Sequence, residues 1–194
     1  MKKLLIVGFA AMLVAACNQQ KVNDSSSTAV SEQQEPEVEA VDTEDAGMPE
    51  GTEIGNKFVD IELPGIQGNM VRLSDYVGKN KYTLVDFWAS WCGPCRAEMP
   101  HVVRAYAEYH SKGLEVVGIS LDNDHEAWVN AIEQLNMPWP QMSDLGGWDS
   151  MGAMLYKVRS IPSNVLIDQQ GQIVAKDLRG NQLLQTMAEL MPTR

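Results

Sequence analysis

The sequence predicts an α/β fold: a mixed central sheet with helices on both faces, preceded by an N-terminal β-hairpin extension. Three observations carry this. Apolar, branched and aromatic runs of strand length alternate with helical periodicities in the order βαβα, then ββα. The most apolar of the runs, Thr83–Ala89, leads through a short turn directly into a helix starting near Cys92. Alternation over 57–63, a turn over 65–69 and a second short strand over 70–73 describe a hairpin ahead of that unit.

The remaining elements follow in order. Residues 75–80 read as a loop or helical turn before the central strand. Met99, Val102, Val103 and Tyr106 recur at helical spacing, so the helix runs to about Lys112 with Gly113 as its stop. Pro100 lies inside it and is expected to kink it. Residues 114–121 form a second buried strand and 126–135 an amphipathic helix. Residues 137–147 read as irregular, with Pro138 and Pro140 around Trp139, and 149–156 as a short helix. Strands over 165–167 and 173–178 are joined by the turn at 168–172, and a helix over 182–190 closes the chain. No internal repeat is visible.

Three regions are expected: 1–17, 18–52 and 53–194. The first has Lys2 and Lys3, a mostly apolar run from Leu4 to Ala16, then Cys17. That run is too short to span a bilayer and reads as a signal h-region. Val14-Ala15-Ala16-Cys17 resembles the bacterial lipobox, which implies cleavage before a lipidated Cys17 and anchoring to a bacterial membrane. The second region is rich in Ser, Glu and Pro, with nine acids against one lysine and no aromatic residue. It cannot bury enough apolar area to offset its ordering entropy, so it reads as a disordered acidic tether. A flexible tether of this length averages roughly 30–35 Å end to end. The third region, about 140 residues, suffices for one domain with a single core.

The formal charge is −11, and losing Lys2 and Lys3 with the leader takes it to −13. With no basic stripe, nucleic acid is excluded as a partner. Of three cysteines, Cys17 is accounted for by the leader, which leaves Cys92 and Cys95. Set three apart on a first helical turn, they can close a small disulfide. Pro94 costs little there, because that turn's N–H groups have no helical partner. The same unpaired N–H groups and the helix dipole favour an anion at Cys92, and the thiolate is the attacking form. This is redox chemistry, with Cys92 attacking and Cys95, nearer the helix interior, resolving. One such pair is half a zinc site. His101, His110 and His125 read most simply as surface residues, and neither a metal nor another cofactor is expected.

With these residues in view, the chain resembles the thioredoxin superfamily, and within it the membrane-tethered, extracytoplasmic TlpA/ResA-like thiol–disulfide oxidoreductases. The resemblance covers about 53–190. It rests on Trp91-Cys92-Gly93-Pro94-Cys95, on Glu98-Met99-Pro100, and on Ser160-Ile161-Pro162 leading into Val165-Leu166-Ile167-Asp168. It implies a cis bond before Pro162, facing the cysteines. Trp91, Gly93, Pro94 and Ile161 are then the flanks of the active site. Asp86, six residues before Cys92, matches the buried aspartate that thioredoxins use to relay protons to the resolving thiol. Burial would raise its pKa toward neutrality. Thioredoxins pair that aspartate with a lysine on the next strand, where this chain places Gly118. Glu98 matches an acid linked in TlpA/ResA-like proteins to thiol tuning and partner choice. Trp88 is expected in the core, while Trp139, Trp148, Met151 and Met154 fit a docking surface or the core equally well.

The function implied is reduction of disulfides in exported or periplasmic proteins by a monomeric, lipid-anchored enzyme, for example during cytochrome c maturation. A reductant in an oxidising compartment needs electrons, which implies a DsbD/CcdA-type membrane donor. The alternatives are a disulfide oxidase or isomerase, and a thiol-based copper-binding chaperone or assembly factor. Peroxidase chemistry of the peroxiredoxin kind needs Pro-x-x-x-Thr-x-x-Cys. Phe87-Trp88-Ala89-Ser90-Trp91 before Cys92 has neither the proline nor the threonine.

Overall fold

A computed structural model describes residues 48–192. The expected leader, Cys17 and most of the tether lie outside the described residues. Strands β1 (Glu62–Pro64) and β2 (Met70–Arg72) pair antiparallel as the expected hairpin. The strand expected from residue 57 is shorter, because the segment before β1 bonds to a loop: Phe58 N–H donates to Gly171 O and Lys57 bridges Gln172.

The main sheet holds β3 (Tyr82–Trp88), β4 (Leu114–Ser120), β5 (Gln141–Met142), β6 (Ser163–Asp168) and β7 (Ile173–Lys176). Their order is β5-β4-β3-β6-β7, with β3, β4 and β5 parallel and β6 and β7 antiparallel. β3 is central, and Leu84 through Trp88 are buried on both of its sides. That is why it reads as a continuous apolar run rather than an alternation. β5 falls in the stretch expected to be irregular. Two residues after a proline carry no periodicity, yet the Pro140 carbonyl and Gln141 pair with Gly118 at the sheet edge. β7 stops at Lys176, two residues early, where Asp177 turns to a left-handed φ of 52°.

Helix α1 (Gly93–Tyr109) continues through Pro100 as one element, then tightens into a 3-10 turn that ends at Gly113, φ 109°. Helix α2 (His125–Gln134) is capped by the Asp124 carboxylate, which accepts the Ala127 N–H. α3 (Met151–Leu155) is short, and α4 (Asn181–Leu190) follows Gly180. The β3–α1–β4 and β4–α2–β5 crossovers step the same way along the sheet, so their right-handed sense puts α1 and α2 on one face. Arg96 of α1 accordingly donates to Gln134 of α2 (3.1 Å), and α4 packs on α1. α3 takes the other face with the hairpin: Tyr156, at its end, lies 5.4 Å from the Phe87 ring and donates to the Val59 carbonyl. Helices thus cover both faces, three against one. Among the described residues no helix is long and apolar enough to cross a membrane.

Candidate active site

The site forms where the C-terminal ends of parallel strands β3 and β4 meet the start of α1. The turn out of β3 is fixed from β4. The Asp122 carboxylate accepts the Ser90 N–H (3.0 Å), the Ser90 hydroxyl (2.5 Å) and the Ser120 hydroxyl (2.7 Å). Trp91 Nε1 donates to the Leu121 carbonyl (3.2 Å). Asp122 is 1% exposed, and its bonds hold the residues immediately before Cys92. It was not among the residues expected at the site. The available signal was its place just past the end of a buried strand parallel to β3, where strand ends converge.

Cys92 caps α1: its Sγ accepts the Cys95 N–H at 3.2 Å. The two cysteines form a disulfide with Cα atoms 5.3 Å apart, and both are buried, Cys92 at 4% and Cys95 at 1% exposure. Gly93 and Pro94 between them are exposed. The Ile161–Pro162 bond is cis, and the Ile161 carbonyl oxygen lies 3.8 Å from Cys92 Sγ. Residues 69 apart in the chain thus meet at Cys92 Sγ.

Asp86, on β3, is 2% exposed and its Oδ1 has no hydrogen-bond partner. Burial pushes its pKa up to about 7; the Glu98 charge adds to this and the Arg179 charge opposes it. The register places Asp86 beside Gly118, as expected. The room left by the missing side chain is taken by Gln141 of β5, whose Oε1 would stand 2.2 Å from a Cβ at Gly118. That oxygen accepts Trp88 Nε1–H (3.1 Å). A neutral amide therefore occupies the space above Gly118.

Glu98 accepts the N–H of Gly180, at the head of α4. Next to it, Arg179 donates to the Pro162 carbonyl. The 179–180 turn therefore ties the cis-proline loop to α1. No local pattern in the sequence marks Arg179 or Gly180; their role comes from the return of the chain after β7.

The tryptophans divide cleanly. Trp88 is fully buried, and Trp139 belongs to the core at 3% exposure, its ring 5.4 Å from Tyr106. Trp91 is 52% exposed, and its ring lies 6.2 Å from that of Trp148, which is exposed together with Met151 and Met154. Among the described residues no group of three or more His, Cys, Asp or Glu side chains is placed to hold a metal ion.

The AhpC/TSA family profile matches residues 54–176, more than half of the chain. The thiol–disulfide oxidoreductase ResA of Bacillus thuringiensis subsp. konkukian is 29% identical over 142 residues, 73% of this chain and 79% of the relative. ResA from a strain of Bacillus cereus is 31% identical over 127 residues, covering 66% of this chain and 70% of the relative. A solved thiol–disulfide oxidoreductase from Bacteroides fragilis superposes with a TM-score of 0.65 at 34% identity, covering 70% of this chain and 99% of that one. The likeness includes the expected thioredoxin-like architecture. With a disulfide-forming pair at the head of α1, the chain belongs to the AhpC/TSA family and is a thiol–disulfide oxidoreductase of ResA-like kind.

Proposed function

We propose that this oxidoreductase works as a reductant of disulfides in exported proteins, using Cys92 as nucleophile and Cys95 as resolving thiol. The observation that carries the assignment of roles is the bond from Cys95 N–H to Cys92 Sγ at the start of α1. In the reduced protein that donor and the helix N-terminus favour a thiolate at Cys92. The Cys92 thiolate attacks one sulfur of a substrate disulfide, forms a mixed disulfide and expels the other sulfur as a thiolate, which takes a proton from solvent. Cys95 then loses its proton and attacks Cys92 Sγ, which closes the Cys92–Cys95 bond and releases the second substrate thiol. Two electrons pass to the substrate, and a dithiol donor must return them.

Asp86 is the acceptor we assign for the Cys95 proton, since a carboxyl with a pKa near 7 can both take and return it at neutral pH. Burial raises that pKa and the Glu98 charge adds to it. Pro162 and Ile161 form the wall against which the substrate sulfur is held, with Trp91, Gly93 and Pro94 as the exposed rim. We place the protein outside the cytoplasm, tethered by a lipidated Cys17 and supplied by a DsbD/CcdA-type donor. Apocytochrome c is one fitting substrate.

The test is the equilibrium reduction potential of the Cys92–Cys95 pair in thiol redox buffers. A value near thioredoxin's, about −270 mV, supports a reductant. A value near that of the strong oxidant DsbA, about −120 mV, reverses the direction and makes the protein a disulfide donor.

A further inference from the structure

On the face opposite α1, beside the cis-proline loop, lies a cleft of about 220 Å³. Phe87 and Val165 are among its apolar lining, and Ser160 and Ser163 bracket Pro162 at its edge. Its charged lining is unlike the rest of the chain. Lys157, Arg159, Lys176 and Arg179 all line it, against the single acid Asp177. The whole chain has 15 basic residues to 26 acidic ones. Four cations gathered around one cleft oppose the field of a protein with net charge −11.

Two of these cations are free to meet a ligand. Lys176 is engaged with Glu53 at 3.3 Å, and Arg179 holds the Pro162 carbonyl. Lys157 and Arg159 have no acidic partner within ion-pair distance among the described residues, and both are exposed. Asp177 accepts the Ser163 hydroxyl. Lys157 also stands at φ 54°, just past the end of α3, where the Val158 N–H closes back onto the Ala153 carbonyl. Glycine suits that left-handed position best, so a lysine occupies it at a conformational cost.

We propose that this cleft binds the acidic side chains of a polypeptide segment next to the substrate's disulfide, and so selects substrates whose cysteines lie in acidic surroundings. The proposal rests on the oxidoreductase reading, which puts a polypeptide across Cys92 and the cis-proline loop. Glu or Asp side chains a few residues from the attacked cysteine can then reach Lys157 and Arg159. Charge complementarity is the physical driver, acting on both encounter rate and register.

The experiment is single-turnover reduction by the pre-reduced full chain, followed through tryptophan fluorescence. Three probes are compared: a cyclic disulfide peptide flanked by glutamates, the same peptide flanked by glutamines, and the small neutral bis(2-hydroxyethyl) disulfide. At low ionic strength the glutamate peptide is expected to react about fivefold faster than the glutamine peptide, against the protein's net charge. The advantage should vanish in about 0.5 M salt. It should also vanish in the Lys157→Gly/Arg159→Gln variant, in which glycine suits the backbone and the fold is preserved. The hydroxyethyl disulfide should react equally with both proteins. Equal or slower reaction of the glutamate peptide, with normal reaction of the hydroxyethyl disulfide, overturns the cleft and leaves the oxidoreductase reading standing. An advantage that survives in the double variant overturns it as well. No reaction with any disulfide overturns the oxidoreductase reading itself.

Discussion

The Glu98 carboxylate on α1 accepts the backbone N–H of Gly180, 82 residues later in the chain. Through the neighbouring Arg179, which donates to the Pro162 carbonyl, this contact connects the active-site helix to the cis-proline loop. Gly180 sits at φ 53° and ψ −129°, a region essentially reserved for glycine. Space is not the constraint, because the nearest atom to an added Cβ is His101 Nε2 at 4.0 Å. Gly180→Ala is therefore expected to lose about 1–3 kcal/mol through the backbone alone. Urea unfolding measures this; an unchanged midpoint would mean that the turn relaxes freely and does not brace the site.

Glu98→Gln separates the charge of Glu98 from its hydrogen bond, because the amide oxygen can still accept from Gly180. Stability should change by less than about 1 kcal/mol. The Asp86 pKa should fall, since a like charge that raises it is gone. Arg179→Ala should move the same pKa upward, by removing the opposing cation. Carboxyl titration by NMR reads both shifts. Two shifts of the same sign would contradict the electrostatic account.

Asp86 itself makes stability depend on pH. Its folded pKa of about 7 lies above the ordinary aspartate value of 3.8. Below about pH 3 both states carry the proton and the group is neutral toward folding. As pH rises from there to about 7, the unfolded chain ionises first while the folded one keeps its proton, so stability falls; above that window the loss is constant. Asp86→Asn removes the titration. At pH 8 the variant is expected to be more stable by up to about 4 kcal/mol, from a shift of roughly three units at 1.36 kcal/mol each. At pH 3 the difference should disappear. Urea unfolding at the two pH values decides the point, and an equal difference at both would remove Asp86 as the cause.

Much of this site was legible in the sequence because its chemistry is local. Trp91 through Cys95 lie on one turn, and the apolar strand before them fixes where α1 begins. Asp86 was pointed to by the family resemblance, as the strand residue six before Cys92. The rest comes from distant parts of the chain. Asp122, Arg179 and Gly180 act on the site through partners 32, 17 and 82 residues away, and no periodicity records such pairings. β5 was missed for the opposite reason: with two residues it is too short for a pattern, yet it supplies Gln141. The apolar residues near the site were also ambiguous. Trp139 and Trp148 have equal hydrophobicity, and only packing sends the first to the core and leaves the second beside Trp91.

Gly118 and Gln141 provide a test of how the space beside Asp86 is filled. A Cβ on Gly118 would lie 2.2 Å from Gln141 Oε1 and 2.6 Å from its Cδ, so Gly118→Ala must displace a side chain that is only 3% exposed. That displacement breaks the Trp88 Nε1 bond to Gln141, and the expected cost is about 1–3 kcal/mol. Gln141→Ala alone leaves the indole N–H without its acceptor, at a similar cost of about 1–3 kcal/mol. The two substitutions contend for one space, so the double variant Gly118→Ala/Gln141→Ala should cost less than the sum by at least about 1 kcal/mol. Urea unfolding of the four proteins closes the cycle. Strict additivity would mean that Gln141 does not fill the room left by Gly118. A coupling of the expected sign would support the view that a neutral amide occupies this space, leaving burial, Glu98 and Arg179 to set the Asp86 pKa.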